Sequence, residues 1–200
     1  MRLEFDLESH FTNSLSCTFV TVECIVGREL GTGGFSIVYE IEGLSLYCNK
    51  NATNSEARAE VAMRSQRQGQ SRYALKRLKN ATIRKASSQN EDTQHQFVAG
   101  VTDLAMEVKF LTVLSHPHII KMRGISAANL CSKDAFIIID RLHQTLDERI
   151  HSWRGSSRRL SGGLGLVIDS KGRKKDKIFV QRLSAAYGIC SAVEFLHSLR

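Results

Sequence analysis

Between Cys24 and Leu114 the spacing of apolar residues changes from alternate positions to every third or fourth, which limits the chain to a sheet followed by helices. Ile25, Val26 and Leu30 lead into Gly31-Thr32-Gly33-Gly34-Phe35-Ser36, and Ile37, Val38, Tyr39 and Ile41 follow. Two β-branched runs around a glycine cluster predict a hairpin. Tyr73–Leu78 is a third strand, and Ile119–Ile125 and Ala135–Asp140 are two more. Val101, Leu104, Ala105, Val108, Leu111 and Leu114 predict an amphipathic helix over Phe97–Leu114, closed by His116-Pro117. Thr145 and Glu148 have the spacing of a capping box, and Leu146, Ile150 and Trp153 share the helical face behind it. Phe179, Leu183, Ala186, Cys190, Val193 and Leu196 predict another helix over Ile178–Leu199. The expected class is α+β: a twisted antiparallel sheet of five strands carrying one long helix, then a separate helical part.

The segments between these elements are polar. Residues 1–22 read as an arm, and 45–72, 80–96 and 152–178 as insertions. The net charge of +8 concentrates in two of them: 45–72 carries five basic and two acidic residues, and 152–178 eight and two. Both are expected to be mobile and solvated, having too few periodic apolar residues to offset the entropy of ordering. Such basic segments can also contact an acidic partner. Residues 154–178 lack aromatic residues that could stack on bases, which argues against nucleic acid. The five cysteines are odd in number and scattered, which argues against a disulfide framework or zinc and for reduced thiols. With no basic start followed by an apolar stretch in residues 1–22, and Phe136–Ile139 as the longest aliphatic block, no signal peptide or membrane span is expected. The expectation is a soluble intracellular protein, cytoplasmic by default.

Three features bear on chemistry. Glycines joining two strands let backbone N–H groups approach anionic oxygens closely, because they lack Cβ and tolerate positive φ. The same cluster also suits a hairpin without a ligand. Lys76, in Ala74-Leu75-Lys76, is costly inside an apolar strand unless a phosphate or a carboxylate pairs with it, or unless it reaches solvent from a sheet edge. Glu107 lies beside the apolar face of its helix, where it could point at the sheet or simply mark the helix boundary.

Taken in order, the glycine hairpin, Ala74-x-Lys76, Glu107 on a helix, His116-Pro117 and two further strands resemble the small lobe of the eukaryotic protein kinase family over about residues 23–200. The resemblance implies a protein kinase-like fold, with an N-lobe over 23–142, the start of a helical C-lobe over 143–200, and 1–22 as an N-terminal arm. It implies that Gly31, Thr32, Gly33, Gly34, Phe35 and Ser36 cover the phosphates of ATP, that Val38 and Ala74 pack on the adenine, and that Lys76 holds the α- and β-phosphates while paired with Glu107. Phe136-Ile-Ile-Ile139-Asp140-Arg141-Leu142 resembles the fifth strand and hinge, with Ile139 as gatekeeper and the backbone of Asp140 and Leu142 facing the adenine edge. The implied cofactors are ATP and Mg²⁺, and the implied reaction is γ-phosphoryl transfer to a protein Ser or Thr.

The departures are Ser36 in place of the third loop glycine, the insertions, and the absence of H-R-D-x-x-x-x-N and D-F-G from the 200 residues. The catalytic Asp and the family's metal ligands are therefore missing from this chain. By itself it is expected to be inactive, with Phe179, Leu183, Val193 and Leu196 exposed. The alternative expectation is a truncated, pseudokinase-like module that binds nucleotide or a protein partner.

Overall fold

A computed structural model describes residues 17–46, 55–67, 69–84, 91–130, 132, 134–161 and 173–199. Residues 1–16, the 47–54, 85–90 and 162–172 portions of the three insertions, and Cys48 and Cys131 lie outside the described residues. The chain divides into two compact units, one built from residues up to Ser115 together with Ile120–Arg141, the other from His116–Ile119 and Leu142 onward.

The first unit is a six-stranded mixed sheet with helices. Its strands are β1 (Cys17–Phe19), β2 (Cys24–Thr32), β3 (Ser36–Leu44), β6 (Tyr73–Leu78), β7 (Met122–Ser126) and β8 (Phe136–Asp140), in the order β1-β7-β8-β6-β3-β2. A separate hairpin pairs β4 (Gln66–Arg67) with β5 (Gln70–Ser71). Five of the six strands pair antiparallel, while β1 runs parallel to β7, with Cys17 opposite Gly124 and Phe19 opposite Ser126. The helices of this unit are α1 (Ser55–Met63), α2 (Asn80–Arg84) and α3 (Glu91–Val113).

The expectation of five strands is therefore corrected. Residues 17–22, expected within an arm, supply a sixth strand and, together with Glu23, a short 3₁₀ turn. The reason lies on β7. Cβ built at Gly124 would come within 2.5 Å of the Phe19 ring, so only glycine leaves room for that ring against the strand. Cys17 and Phe19 are buried and Thr18 between them is exposed, the alternation of a half-buried strand.

The alternation along β6 divides the core in two. Tyr73 and Leu75 join Ile41, Phe136, Ile138, Cys17, Cys24 and Phe19 on one face of the sheet. Ala74 and Leu78 join Ile137, Ile139, Leu104 and Val108 on the face covered by α3.

Residues 45–72, expected as a mobile insertion, are ordered in their described part. Ala57 and Val61 of α1 pack on the first of these cores, and Arg58 is buried. Its Nη2 donates to Glu23 Oε1 at 2.5 Å, and its guanidinium lies 5.3 Å from the Phe19 ring centroid. The second carboxylate oxygen of Glu23 accepts the Val20 N–H at 3.0 Å. Gly69, with φ of 74°, makes the left-handed turn of the β4–β5 hairpin.

The second unit contains α4 (Leu146–Ser161) and α5 (Arg173–Ser198). Thr145 caps α4 as its spacing predicts: the Glu148 N–H donates to Thr145 Oγ1 at 3.2 Å, and the Thr145 N–H to Glu148 Oε2 at 2.8 Å. Trp153 Nε1 donates to Gln181 Oε1 at 3.0 Å between the two helices. Residues 116–119 seat on α5, where His116 stacks on Phe195 at 5.0 Å and meets Ser191 at 3.2 Å. Both helices extend beyond their expected ends into 152–178, which is helical in its described parts. Charged residues do not oppose a helix whose other face is packed. Phe179, Leu183, Val193 and Leu196 are exposed, as expected.

Candidate functional site

Lys76 lies on β6 between Ala74 and Leu78, on the face of the sheet that α3 covers. Its ammonium donates to the Glu107 carboxylate in a partly buried ion pair. The period of α3 brings Glu107 there: Gly100, Asp103, Leu104 and Glu107 are spaced i, i+3, i+4, i+7 and share one strip of the helix. That strip, with Gly34, Phe35, Ser36 and Lys76, lines a cavity of about 210 Å³. The cavity thus has the hairpin tip on one side, α3 on another, and the ion pair in its wall.

The hairpin closes where the glycine cluster predicts. Thr32 opposes Ile37, Gly31 opposes Val38, and the Gly33 N–H donates to the Ser36 carbonyl at 2.8 Å. The physical reason for the glycines differs from the expected one in part. Gly69 is the positive-φ glycine among the described residues, so the cluster does not use that freedom. Space is what it provides: Cβ atoms built at Gly31 and Gly34 meet nothing within 4 Å, and the backbone there can be approached closely.

Of the residues singled out in the sequence, the cavity gathers Gly34, Phe35, Ser36, Lys76 and Glu107. Val38, Ala74 and Ile139 belong to one apolar cluster on the same face, with Ala74 opposite Ile139 in the sheet. Gly31, Thr32 and Gly33 form the approach to the tip and are not in the cavity wall. Asp140 turns its carboxylate to Arg123, which grips it through two bonds of 2.7 and 2.9 Å. The next residue, Arg141, pairs with Glu40 of β3. Glu40 also accepts from Arg28 at 3.2 Å. A hydrogen bond from Ser71, more than the nearby guanidinium groups, holds the Glu40 carboxyl below its ordinary range. Leu142 belongs to the second unit and is 72% exposed.

Gly100 and Asp103 were not singled out in the sequence, and Leu104 only as part of the helix's apolar face. A signal for them was present, because they precede Glu107 by seven, four and three residues on one helical face.

Among the described residues no group of three or more His, Cys, Asp or Glu could hold a metal ion, and no helix is long and apolar enough to cross a membrane. No family model and no curated protein sequence matches the chain.

Proposed function

We propose that the first unit is the nucleotide-binding lobe of a protein kinase-like chain. The observation that carries the reading is a lysine inside an apolar strand, ion-paired to a carboxylate from the covering helix, in one cavity with the tip of a glycine hairpin. An ammonium has three donors, and Glu107 takes one of them; the other two are free to meet phosphate oxygens. Backbone N–H groups of the hairpin add donors without side chains in the way. Val38, partly buried against the cluster that holds Ala74 and Ile139 on the same face, is the one of the three with apolar surface left for a purine ring. A cavity of about 210 Å³ suits the phosphate end of ATP better than the whole molecule.

When bound, ATP supplies a transferable γ-phosphoryl group. In this reading Glu107 keeps Lys76 extended, Lys76 offsets phosphate charge, and the hairpin excludes water above it. Among the described residues no group of three or more His, Cys, Asp or Glu gathers as a metal site, and no step here runs through Mg²⁺. Neither H-R-D nor D-F-G occurs in these 200 residues, so nothing orients an acceptor hydroxyl. Binding without transfer is the activity proposed for the chain itself, and transfer to Ser or Thr only for a protein that supplies those residues. A second reading, a protein-interaction module, draws on the exposed Phe179, Leu183 and Val193 of α5.

The test is titration of the purified chain with a fluorescent ATP analogue, beside Lys76→Met and Glu107→Gln. Lys76→Met is expected to weaken binding at least tenfold, or about 1.4 kcal/mol. No saturable binding by the unmutated chain, or equal binding by Lys76→Met, would refute the reading.

A further inference from the structure

The tip of the β2–β3 hairpin is fastened to its surroundings at Phe35. The Phe35 carbonyl accepts the Lys79 N–H at 2.9 Å and the Thr82 hydroxyl at 3.3 Å. Against this knot runs α3, with no room to spare. Cβ built at Gly100 would lie 3.0 Å from Phe35 Cβ, 3.1 Å from Thr82 Cγ2 and 3.3 Å from Leu78 Cδ2. Gly100 and Glu107 lie two turns apart on one strip of the helix, about 10 Å along its axis. Both residues lie on one continuous helix, so a sideways displacement of α3 at Gly100 can be carried to Glu107 as a tilt of the same rod.

We propose that Gly100 is a positioning residue: its contact with Phe35 and Thr82 couples the hairpin tip to the Lys76–Glu107 pair. A group entering beneath the tip shifts Phe35. Through Gly100 that shift reaches Glu107 and changes how firmly Lys76 is held. The coupling stands on geometry alone, and only its consequence for ligand affinity rests on the nucleotide-binding reading.

Gly100→Ala separates this role from helix propensity alone. Propensity favours alanine over glycine and by itself would leave the Lys76–Glu107 pair undisturbed. The contact predicts that the added methyl pushes α3 away and frees Lys76. The readout is limited acylation with a water-soluble N-hydroxysuccinimide ester, quantified by mass spectrometry as the modification of Lys76 relative to exposed Lys121. Gly100→Ala is expected to raise that ratio at least threefold. Placing it on Phe35→Gly, which removes the nearest Cβ, is expected to abolish the rise. Should Gly100→Ala lose its far-UV circular dichroism, Thr82→Ser with Gly100→Ala relieves the 3.1 Å contact and takes its place; in that pair, compared with Thr82→Ser alone, the ratio must still rise. An unchanged ratio in folded variants, or a rise that Phe35→Gly does not suppress, overturns the proposal. A second arm measures the fluorescent ATP analogue, whose affinity is expected to fall about fivefold in Gly100→Ala. A ratio that responds in a chain that binds no analogue leaves the coupling standing and removes the nucleotide reading; an unresponsive ratio in a chain that binds it does the reverse.

Discussion

Arg58→Met tests whether the ordered part of residues 45–72 belongs to the core. The Arg58 and Glu23 side chains retain 8% and 2% of their exposure, so their ion pair lies away from bulk water. Removing one partner of a buried pair costs about 3–5 kcal/mol. Glu23 would still accept the Val20 N–H at one oxygen, but the oxygen that faces Arg58 would lose that partner. The loss falls on α1 and on the 3₁₀ turn after β1, which Arg58 and Glu23 join. Hydrogen exchange of α1 amides should therefore accelerate by about 10²–10⁴-fold, and the melting temperature fall by roughly 6–20 °C if the whole unit responds. Glu23→Gln with Arg58→Met removes both charges while Gln Oε1 still accepts the Val20 N–H, and should recover at least half of the loss. The assay is native-state hydrogen exchange read by mass spectrometry, with far-UV circular dichroism melts alongside. An Arg58→Met chain within about 0.5 kcal/mol of the parent would refute the reasoning. So would a double variant as damaged as the single one, since the cost would then come from lost packing rather than the Glu23 charge.

Two further outcomes follow from the titrating groups. Burial, reinforced by the Glu23 carboxylate, pushes the Cys24 thiol up to about 12, and burial raises Cys17 as well, whereas Cys190 is exposed on α5. Alkylation of the native chain at pH 8 should modify Cys190 and spare Cys17 and Cys24, and peptide mass mapping that finds Cys24 modified as fast as Cys190 would contradict this. The Glu40 carboxyl is depressed in the folded state below its ordinary 4.5, chiefly by Ser71. Its contribution to stability is present above that ordinary value and is lost as pH falls through the depressed one. Ser71→Ala should move the Glu40 titration upward, measured by carboxyl NMR, and bring the onset of acid unfolding to higher pH.

Much of the first unit was legible because its segments carry their own periodicity. The glycine cluster marks the hairpin, and the three-and-four spacing of Val101 to Leu111 marks α3. The pairing of Lys76 with Glu107 came from the family resemblance; the cost of an ammonium in an apolar strand left a phosphate, a carboxylate or solvent as its partner. What escaped depends on distant partners. Arg58 reads as a surface charge until Glu23, 35 residues earlier, is placed beside it. Three residues of β1 are too few to show a period, and their strand exists because Gly124 opens a seat for Phe19. Gly100 looks like a weak point in a helix, and only the hairpin tip pressed against it explains the residue. Leu142 falls beyond the first unit because strand pairing, which a linear pattern can suggest, ends at Asp140.

The three residues of β1 also bear on how the protein keeps to itself. A sheet offers unpaired N–H and C=O groups at each edge, and a long flat edge invites another chain to add a strand. On the β7 side that invitation is cut short: β1 takes the pairing positions from Gly124 to Ser126, and then turns away at Val20 into a 3₁₀ turn whose first N–H is already held by Glu23. On the far side β2 is guarded differently, by three register shifts along its pairing with β3 and by Arg28 and Glu29. Bulges twist an edge out of line and charges resist burial in a new interface. The short strand from the chain's beginning thus acts as a stopper against runaway sheet growth, closing the flat edge that the irregularities of β2 cannot protect.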